Sequence, residues 1–335
     1  MKKAVFITGV AGFLGSHLAR EFLNLGWDVL GIDSMLGGSS ENVPQGVLWK
    51  RLDCRDRGTY SHLMNGVDVV YHCAAAPYEG LSVFSPQLVY ENTLMSTIGV
   101  LREAINAGVK RFVFCSSMSR YGDHAAPFTE DMVPRPVDPY AHAKVAAENA
   151  VKCLCDLHGV EWSVAVPHNI YGPLQRYYDP FRNVAAIMVN RVLQGKPPVI
   201  YGDGSQRRCL SYIDDVTGPL LKLATEDVAV GEVFNVGPDD EGTTILELAQ
   251  TILNIMGSQL DTVFYPPRPA EVHTAHCSAD KARRLLGYSP EWKLEDGLTK
   301  LIEWVSAKGV RPFEYHLPIE LPGSTVPKTW ADRLM

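Results

Sequence analysis

Apolar residues recur through the first half of the chain in short, almost unbroken runs separated by amphipathic stretches. Ala4–Thr8, Asp28–Ile32, Val47–Leu52, Val67–Cys73, Arg111–Ser116 and Trp162–Pro167 read as strands. Runs that lack polar alternation fit strands covered on both faces. Gly12–Leu25, about Pro86–Ala107 and about Pro139–His158 carry helical spacing instead. Alternating strands and helices with short links predict an α/β fold, a doubly wound parallel sheet.

The second half changes character. Proline and glycine cluster at Gly172-Pro173, Lys196–Pro198, Gly202–Gly204, Pro266–Pro269 and Ser289-Pro290, and only two helices are legible, Phe181–Gln194 and Thr244–Met256. This predicts a smaller C-terminal lobe over the edge of the sheet where open α/β folds bind ligands. The expected division is a first domain over 1–167, rejoined by about 212–237. The lobe takes 168–211 and 238–310, and an extended arm takes 311–335. The arm is proline-rich and weakly periodic, as expected of a segment that wraps the domain or a partner subunit.

The length, 335 residues, suits this two-part organisation, and 46 % apolar with 21 % charged residues is ordinary for a globular protein. Thirty-eight acidic against 31 basic residues give a net charge of −7, which argues against coating nucleic acid or anionic membrane. No 18-residue stretch is continuously apolar, so no membrane span is expected. Lys2-Lys3 before Ala4–Gly15 has the outline of a short signal peptide, but the glycines break its apolar run and a buried first strand is the expectation. Seven cysteines without paired CxxC sets predict neither a disulfide framework nor a metal site, and a cytoplasmic setting.

Four patterns carry chemistry. Gly9-Val-Ala-Gly12-Phe-Leu-Gly15 stands between the first strand and the first helix, where glycines let the backbone approach a pyrophosphate at a helix N-terminus. Asp33 ends the second strand, and a carboxylate there accepts ribose hydroxyls and repels a 2′-phosphate. No arginine adjoins it, so the cofactor expected is NAD rather than NADP. Tyr140-Ala-His-Ala-Lys144 puts a phenol and an ammonium on one helix face. A tyrosine with an ordinary pKa of about 10 needs such a neighbour to act as a base near neutrality. Ser116–Gly122 follows a strand, and a hydroxyl there can hydrogen-bond an alkoxide that becomes a ketone.

These residues together resemble the extended short-chain dehydrogenase/reductases, and more closely their nucleotide-sugar epimerase/dehydratase branch, with a Rossmann-type sheet. Asn169–Pro173, Tyr201–Gln206, Tyr212–Val216, Phe234–Gly237 and Arg268-Pro269 extend the resemblance over about residues 3–305. It implies that Gly9, Gly12, Phe13, Leu14 and Gly15 hold the NAD pyrophosphate and Asp33 its adenosine ribose. Asp53 and Cys54 would face the adenine; Cys73, Ala74, Ala75 and Asn92 would line the cofactor, and Pro167 the nicotinamide side. Tyr140, Lys144 and Ser117 would be catalytic, with Tyr140 and Lys144 also on the nicotinamide ribose. The substrate would meet Ser117, Ser119 and Asn169 near the sugar, Arg208 and Arg268 at the diphosphate, and Val199 and Tyr201 at the base. Relatives place a pocket-volume residue seven positions after the second arginine, which counts to Ala275 here.

Departures from the branch narrow the chemistry. Members that dehydrate or decarboxylate carry carboxylates where Met118 and Ser119 stand, and 3,5-epimerising members carry a cysteine in place of Ser119. The simplest remaining reaction is C4 inversion of an NDP-hexose, by default a UDP-sugar, through a transient 4-keto sugar. The alternatives are a nucleotide-sugar dehydrogenase or ketoreductase with net nicotinamide turnover, and a non-catalytic NAD-binding scaffold. The resemblance also implies a homodimer through the helices near Pro86–Ala107 and Pro139–His158. Ala143, Ala147, Val151 and Leu154 form an apolar stripe on the second of these.

Overall fold

The computed structural model describes residues 2–56, 58–182 and 184–335. Six strands follow one another from the N-terminus: β1 (Ala4–Thr8), β2 (Asp28–Asp33), β3 (Leu48–Arg51), β4 (Val69–His72), β5 (Arg111–Cys115) and β6 (Glu161–Pro167). The strand Glu232–Val236 adds a seventh, and the spatial order is β3-β2-β1-β4-β5-β6 and then Glu232–Val236, parallel throughout. Parallel pairing sends the C-terminal ends of all seven to one edge.

Alternation along the strands splits the core. Phe6, Val70, Phe112, Phe114 and Val164 face one side, with Val100, Leu101 and Ala104 of α4 (Ser96–Asn106) and Ala147 and Val151 of α5 (Pro139–His158). Val5, Ile7, Tyr71, Val113 and Ala165 face the other. Leu18 and Phe22 of α1 (Phe13–Asn24) and Val216, Leu220 and Leu223 of the helix Ile213–Thr225 cover them there. Side chains that alternate over a two-residue period explain why the strands read as continuous apolar runs: both faces are interior.

The long helix expected over Pro86–Ala107 forms as α3 (Pro86–Tyr90), a π-turn over Glu91–Met95, and α4. π-turns of this kind re-aim side chains within a helix, and this one carries Asn92. The stripe Ala143, Ala147 and Val151 is fully buried in its own chain, and Leu154 packs against the same cluster. It covers the sheet of its own chain.

Among the described residues, four helices of the second half were not legible from periodicity: Ile213–Thr225, which contains Pro219, then Asp280–Leu286, the one-turn Lys328–Ala331 and Leu294–Lys308. The last packs with Val184–Leu193 and Ile245–Ile255 around a separate apolar cluster that forms the lobe. Among the described residues no helix is long and apolar enough to cross a membrane. All seven cysteines are free.

Close backbone approach explains the glycine turn. Gly9 has φ +72°, and a Cβ on Gly15 would lie 2.1 Å from the Gly9 carbonyl oxygen. Gly15→Ala therefore forces the turn open and should destabilise the protein by about 1–3 kcal/mol, the usual cost of overpacking. Thermal melting followed by circular dichroism checks this; an unchanged midpoint would show that the turn relaxes freely.

Candidate active site

The sheet's C-terminal edge carries a long cavity. Its floor is the glycine turn, whose Gly9 N–H donates to the Ile32 carbonyl at 2.9 Å. Gly12 caps α1 without a side chain, and no acidic residue stands in the first turn of that helix. The helix N-terminus thus presents free N–H donors and positive dipole to the cavity, the arrangement that accepts a phosphate. Asp33 is buried at the end of β2, and its carboxylate accepts from the backbone N–H groups of Ala11 (3.0 Å) and Met35 (2.7 Å). Burial raises its pKa, against these hydrogen bonds.

Gly9, Gly12, Phe13, Leu14, Gly15, Asp33, Asp53, Cys54, Cys73, Ala74, Ala75, Asn92, Tyr140, Lys144 and Pro167 all line this one cavity, together with Ser117. They come from the ends of six strands, the start of α1, the π-turn and the start of α5. The Asp53 carboxylate is held by the Arg55 guanidinium at 2.8 and 3.0 Å. A cradle that three glycines leave open and a buried ribose-height carboxylate fit a dinucleotide.

The corner formed by β5 and α5 holds the reactive side chains. Asp138 caps α5 by accepting from the Ala141 N–H at 2.9 Å, with Pro139 as the first helical residue. That cap sets Tyr140 and Lys144 one turn apart on the cavity side. The Lys144 ammonium donates to the Cys115 carbonyl at 2.6 Å, 6.0 Å from the Tyr140 ring centre. Burial lowers Lys144 to about 8, so the group is still largely an ammonium at neutral pH. Burial raises the Tyr140 phenol well above its ordinary value, and a hydrogen bond from Ser117 works against that rise.

Below this corner, Glu148 of α5 accepts from the Ser116 hydroxyl at 2.9 Å and pairs with Arg120 at 3.0 Å. The buried carboxylate fixes both ends of the turn that carries Ser117 and Ser119. The Ser117 hydroxyl donates to Ser119 Oγ, and Ser119 donates to the Glu79 carboxylate, each at 3.1 Å.

A second cavity opens beside the first and is walled by the lobe. Asn169, Val199, Tyr201, Arg208 and Arg268 line it. Arg268 pairs with Glu271 at 2.7 Å and Arg208 with the same carboxylate at 3.7 Å, and Glu79 is a second carboxylate close to both guanidiniums. Ser119 reaches the cavity only through Glu79. Ala275 lies in the core cluster with Phe128 and Cys277, paired with Arg208 across a short parallel bridge, and lines neither cavity.

Sequence reasoning missed two residues. Glu79 and Arg182 line both cavities, with Pro77, Asn169 and Ile170, and so mark where the two meet. Glu79 begins a one-turn helix, α2 (Glu79–Ser82), in the loop after β4. Its place on the functional edge of the sheet was a usable signal. Arg182 sits 5.1 Å over the Tyr78 ring; the expected helix Phe181–Gln194 includes it, but the helix forms only over Val184–Leu193 and leaves Arg182 in the irregular segment before it. Asp138 also faces the second cavity; its Oδ2 is buried without a hydrogen-bond partner among the described residues, and burial with Glu79 nearby raises the group to about 6.

Known proteins share this architecture. The UDP-glucose 4-epimerase of Mycolicibacterium smegmatis is 31 % identical over 312 residues, 90 % of this chain and 98 % of that protein. A UDP-N-acetyl-alpha-D-glucosaminuronate decarboxylase of Bacillus cytotoxicus is 30 % identical over 91 % of this chain and 98 % of its own length. The crystal structure of a Thermotoga maritima UDP-glucose 4-epimerase with UDP-glucose superposes with a TM-score of 0.86 at 31 % identity, covering 91 % of this chain and 99 % of that one. The sequence model of the NAD dependent epimerase/dehydratase family matches residues 5–237. With its Rossmann-type sheet, glycine turn and Tyr–Lys corner all inside that span, the chain belongs to the NAD-dependent epimerase/dehydratase family.

Proposed function

We propose that the protein is an NDP-sugar 4-epimerase, with a UDP-hexose as the default substrate. The observation that carries this reading is the junction of the two cavities, which lies against the Tyr140–Lys144–Ser117 corner. A nucleotide sugar whose diphosphate meets Arg208 and Arg268, and whose base lies by Val199 and Tyr201, delivers its sugar to that junction. Two planar, permanently charged guanidiniums suit a diphosphate. NAD, when bound along the glycine turn and Asp33, supplies reversible hydride acceptance at the sugar C4.

The chain's own residues handle the proton. Tyr140 removes it from the C4 hydroxyl and returns it after inversion. The Lys144 ammonium favours the phenolate electrostatically, and Ser117 hydrogen-bonds the same oxygen. Burial opposes ionisation of Tyr140, so loss of any one helper costs rate. Asn169 orients the substrate beside Pro167.

A second reading rests on Glu79. The positions of Met118 and Ser119 supply no carboxylate, but Glu79 brings one to Ser119 from another loop. An acid or base there is what reactions that continue past the C4 ketone require: a base to remove the C5 proton, or an acid to protonate C5 after loss of a C6 carboxyl. Net dehydrogenation is a third outcome, recognised by accumulating absorbance of reduced nicotinamide.

The reading includes a homodimer. With the α5 stripe spent on the sheet, Tyr90 and Met95 remain as exposed apolar side chains on the α3–α4 run. Light scattering at micromolar concentration should return twice the chain mass; a monomer would remove this part of the proposal.

The central test is NMR of a panel of UDP-, GDP-, dTDP- and CDP-sugars in deuterated water. A 4-epimerase gives two C4 epimers with no deuterium at C5, and Tyr140→Phe lowers turnover by about 10²–10⁴-fold while NAD is retained. More than a tenth of wild-type turnover in that variant would dismiss Tyr140 as the base.

Deuterium at C5 would instead favour the second reading. In that case Glu79→Gln should suppress the exchange while C4 oxidation continues. Exchange that persists in Glu79→Gln would clear Glu79 of a base role.

A further inference from the structure

The arm over residues 311–335 lies beyond the span of family resemblance, yet it is packed into the substrate cavity. Relatives match over nearly their whole length while using about nine-tenths of this chain. The arm starts at the lobe, where the Asn190 side-chain amide donates to the Arg311 carbonyl at 2.9 Å. It then crosses to α2 and α3. The Ser85 hydroxyl donates to the Pro318 carbonyl, and the Glu320 carboxylate accepts from the Gln87 and Leu88 N–H groups at 2.9 Å each. Glu320 thus caps the start of α3 from 232 residues away in sequence.

Its final turn, Lys328–Ala331, reaches the cavity. Trp330 and Thr329 are buried, and Trp330 lines the cavity beside Val199, Tyr201 and Arg268. The Trp330 indole N–H donates to the Pro180 carbonyl at 3.1 Å, and its ring packs on Phe84, Phe181 and Tyr201. The Thr329 and Tyr201 hydroxyls hydrogen-bond each other. The Tyr201 ring in turn lies 4.8 Å under the Arg268 guanidinium. Gly80 leaves room for both: a Cβ there would come within 3.2 Å of Arg268 and 3.4 Å of Trp330.

We propose that the arm is part of the nucleoside-diphosphate subsite, with Thr329 and Trp330 as positioning residues that hold Tyr201 and, through its ring, Arg268. This rests on the reading that the second cavity takes an NDP-sugar. A guanidinium on a flexible stem gains from being held against an aromatic face, because less side-chain freedom is lost when the phosphate binds. The structural device is a strap that ties the lobe wall to the α2–α3 segment across the cavity.

The test is calorimetric titration of the NAD-loaded protein with UDP, for wild type, Trp330→Ala, Trp330→Phe and Thr329→Val. Trp330→Ala should weaken UDP binding by about tenfold or more. Turnover should show a raised KM with kcat little changed, and bound NAD should be unaltered. Trp330→Phe should recover most of the affinity, since the ring contact and not the indole identity holds Tyr201. Thr329→Val removes one hydroxyl at constant shape, so it reports even if Trp330→Ala does not fold, and should weaken UDP binding severalfold. Wild-type affinity in folded Trp330→Ala or in Thr329→Val would overturn the proposal. A wild-type protein that binds none of UDP, CDP, GDP or dTDP would instead overturn the reading of the cavity on which it rests.

Discussion

The reactive corner depends on one buried contact, the Lys144 ammonium on the last carbonyl of β5. A charged hydrogen bond contributes about 1.5–3 kcal/mol, while burying an ammonium costs several. Desolvation wins in part, and the lysine is lowered to about 8. The ring of Phe114, 4.9 Å away, adds a cation–π contribution. The ammonium therefore persists at neutral pH but near the limit at which it would discharge. Because it bridges α5 to β5, it also sets the distance between Tyr140 and the serine turn that follows β5.

Everything else at the site follows from parallel pairing. Seven strands that end on one edge bring Asp33, Cys73, Ser117 and Pro167 side by side although they span 134 positions from first to last (167 − 33). The glycine turn supplies uncompensated N–H donors on one side. The lobe supplies two arginines sharing one glutamate on the other. The polar network under the corner, with Glu148 held by Ser116, Arg120 and Lys152, serves position rather than chemistry.

Six of the seven strands, the helices α1 and α5 and the cofactor cavity were legible in the sequence because each rests on local pattern. Buried strands show as apolar runs, a pyrophosphate turn needs glycine, and a Tyr–Lys pair on one face needs four-residue spacing. The lobe was harder. Pro219 reads as a helix breaker, yet the helix Ile213–Thr225 forms because Val216, Leu220 and Leu223 bury against the sheet. Tertiary packing there outweighs local propensity. The alanine stripe of α5 shows the converse limit. Periodicity reveals that a face is apolar, and only the fold decides whether the sheet or a partner covers it.

By itself, then, the chain determined the α/β class, the family and the cavity for a dinucleotide. These depend on residue type at short spacing. Only the tertiary structure decided which groups line the second cavity together. Glu79 comes from the loop after β4, Arg182 from an irregular stretch of the lobe, and Trp330 from the arm, more than a hundred positions apart in sequence. No periodicity links them. They converge because one sheet edge, one short helix and one strap close around the same space, and contacts of that kind are fixed by chain topology and packing.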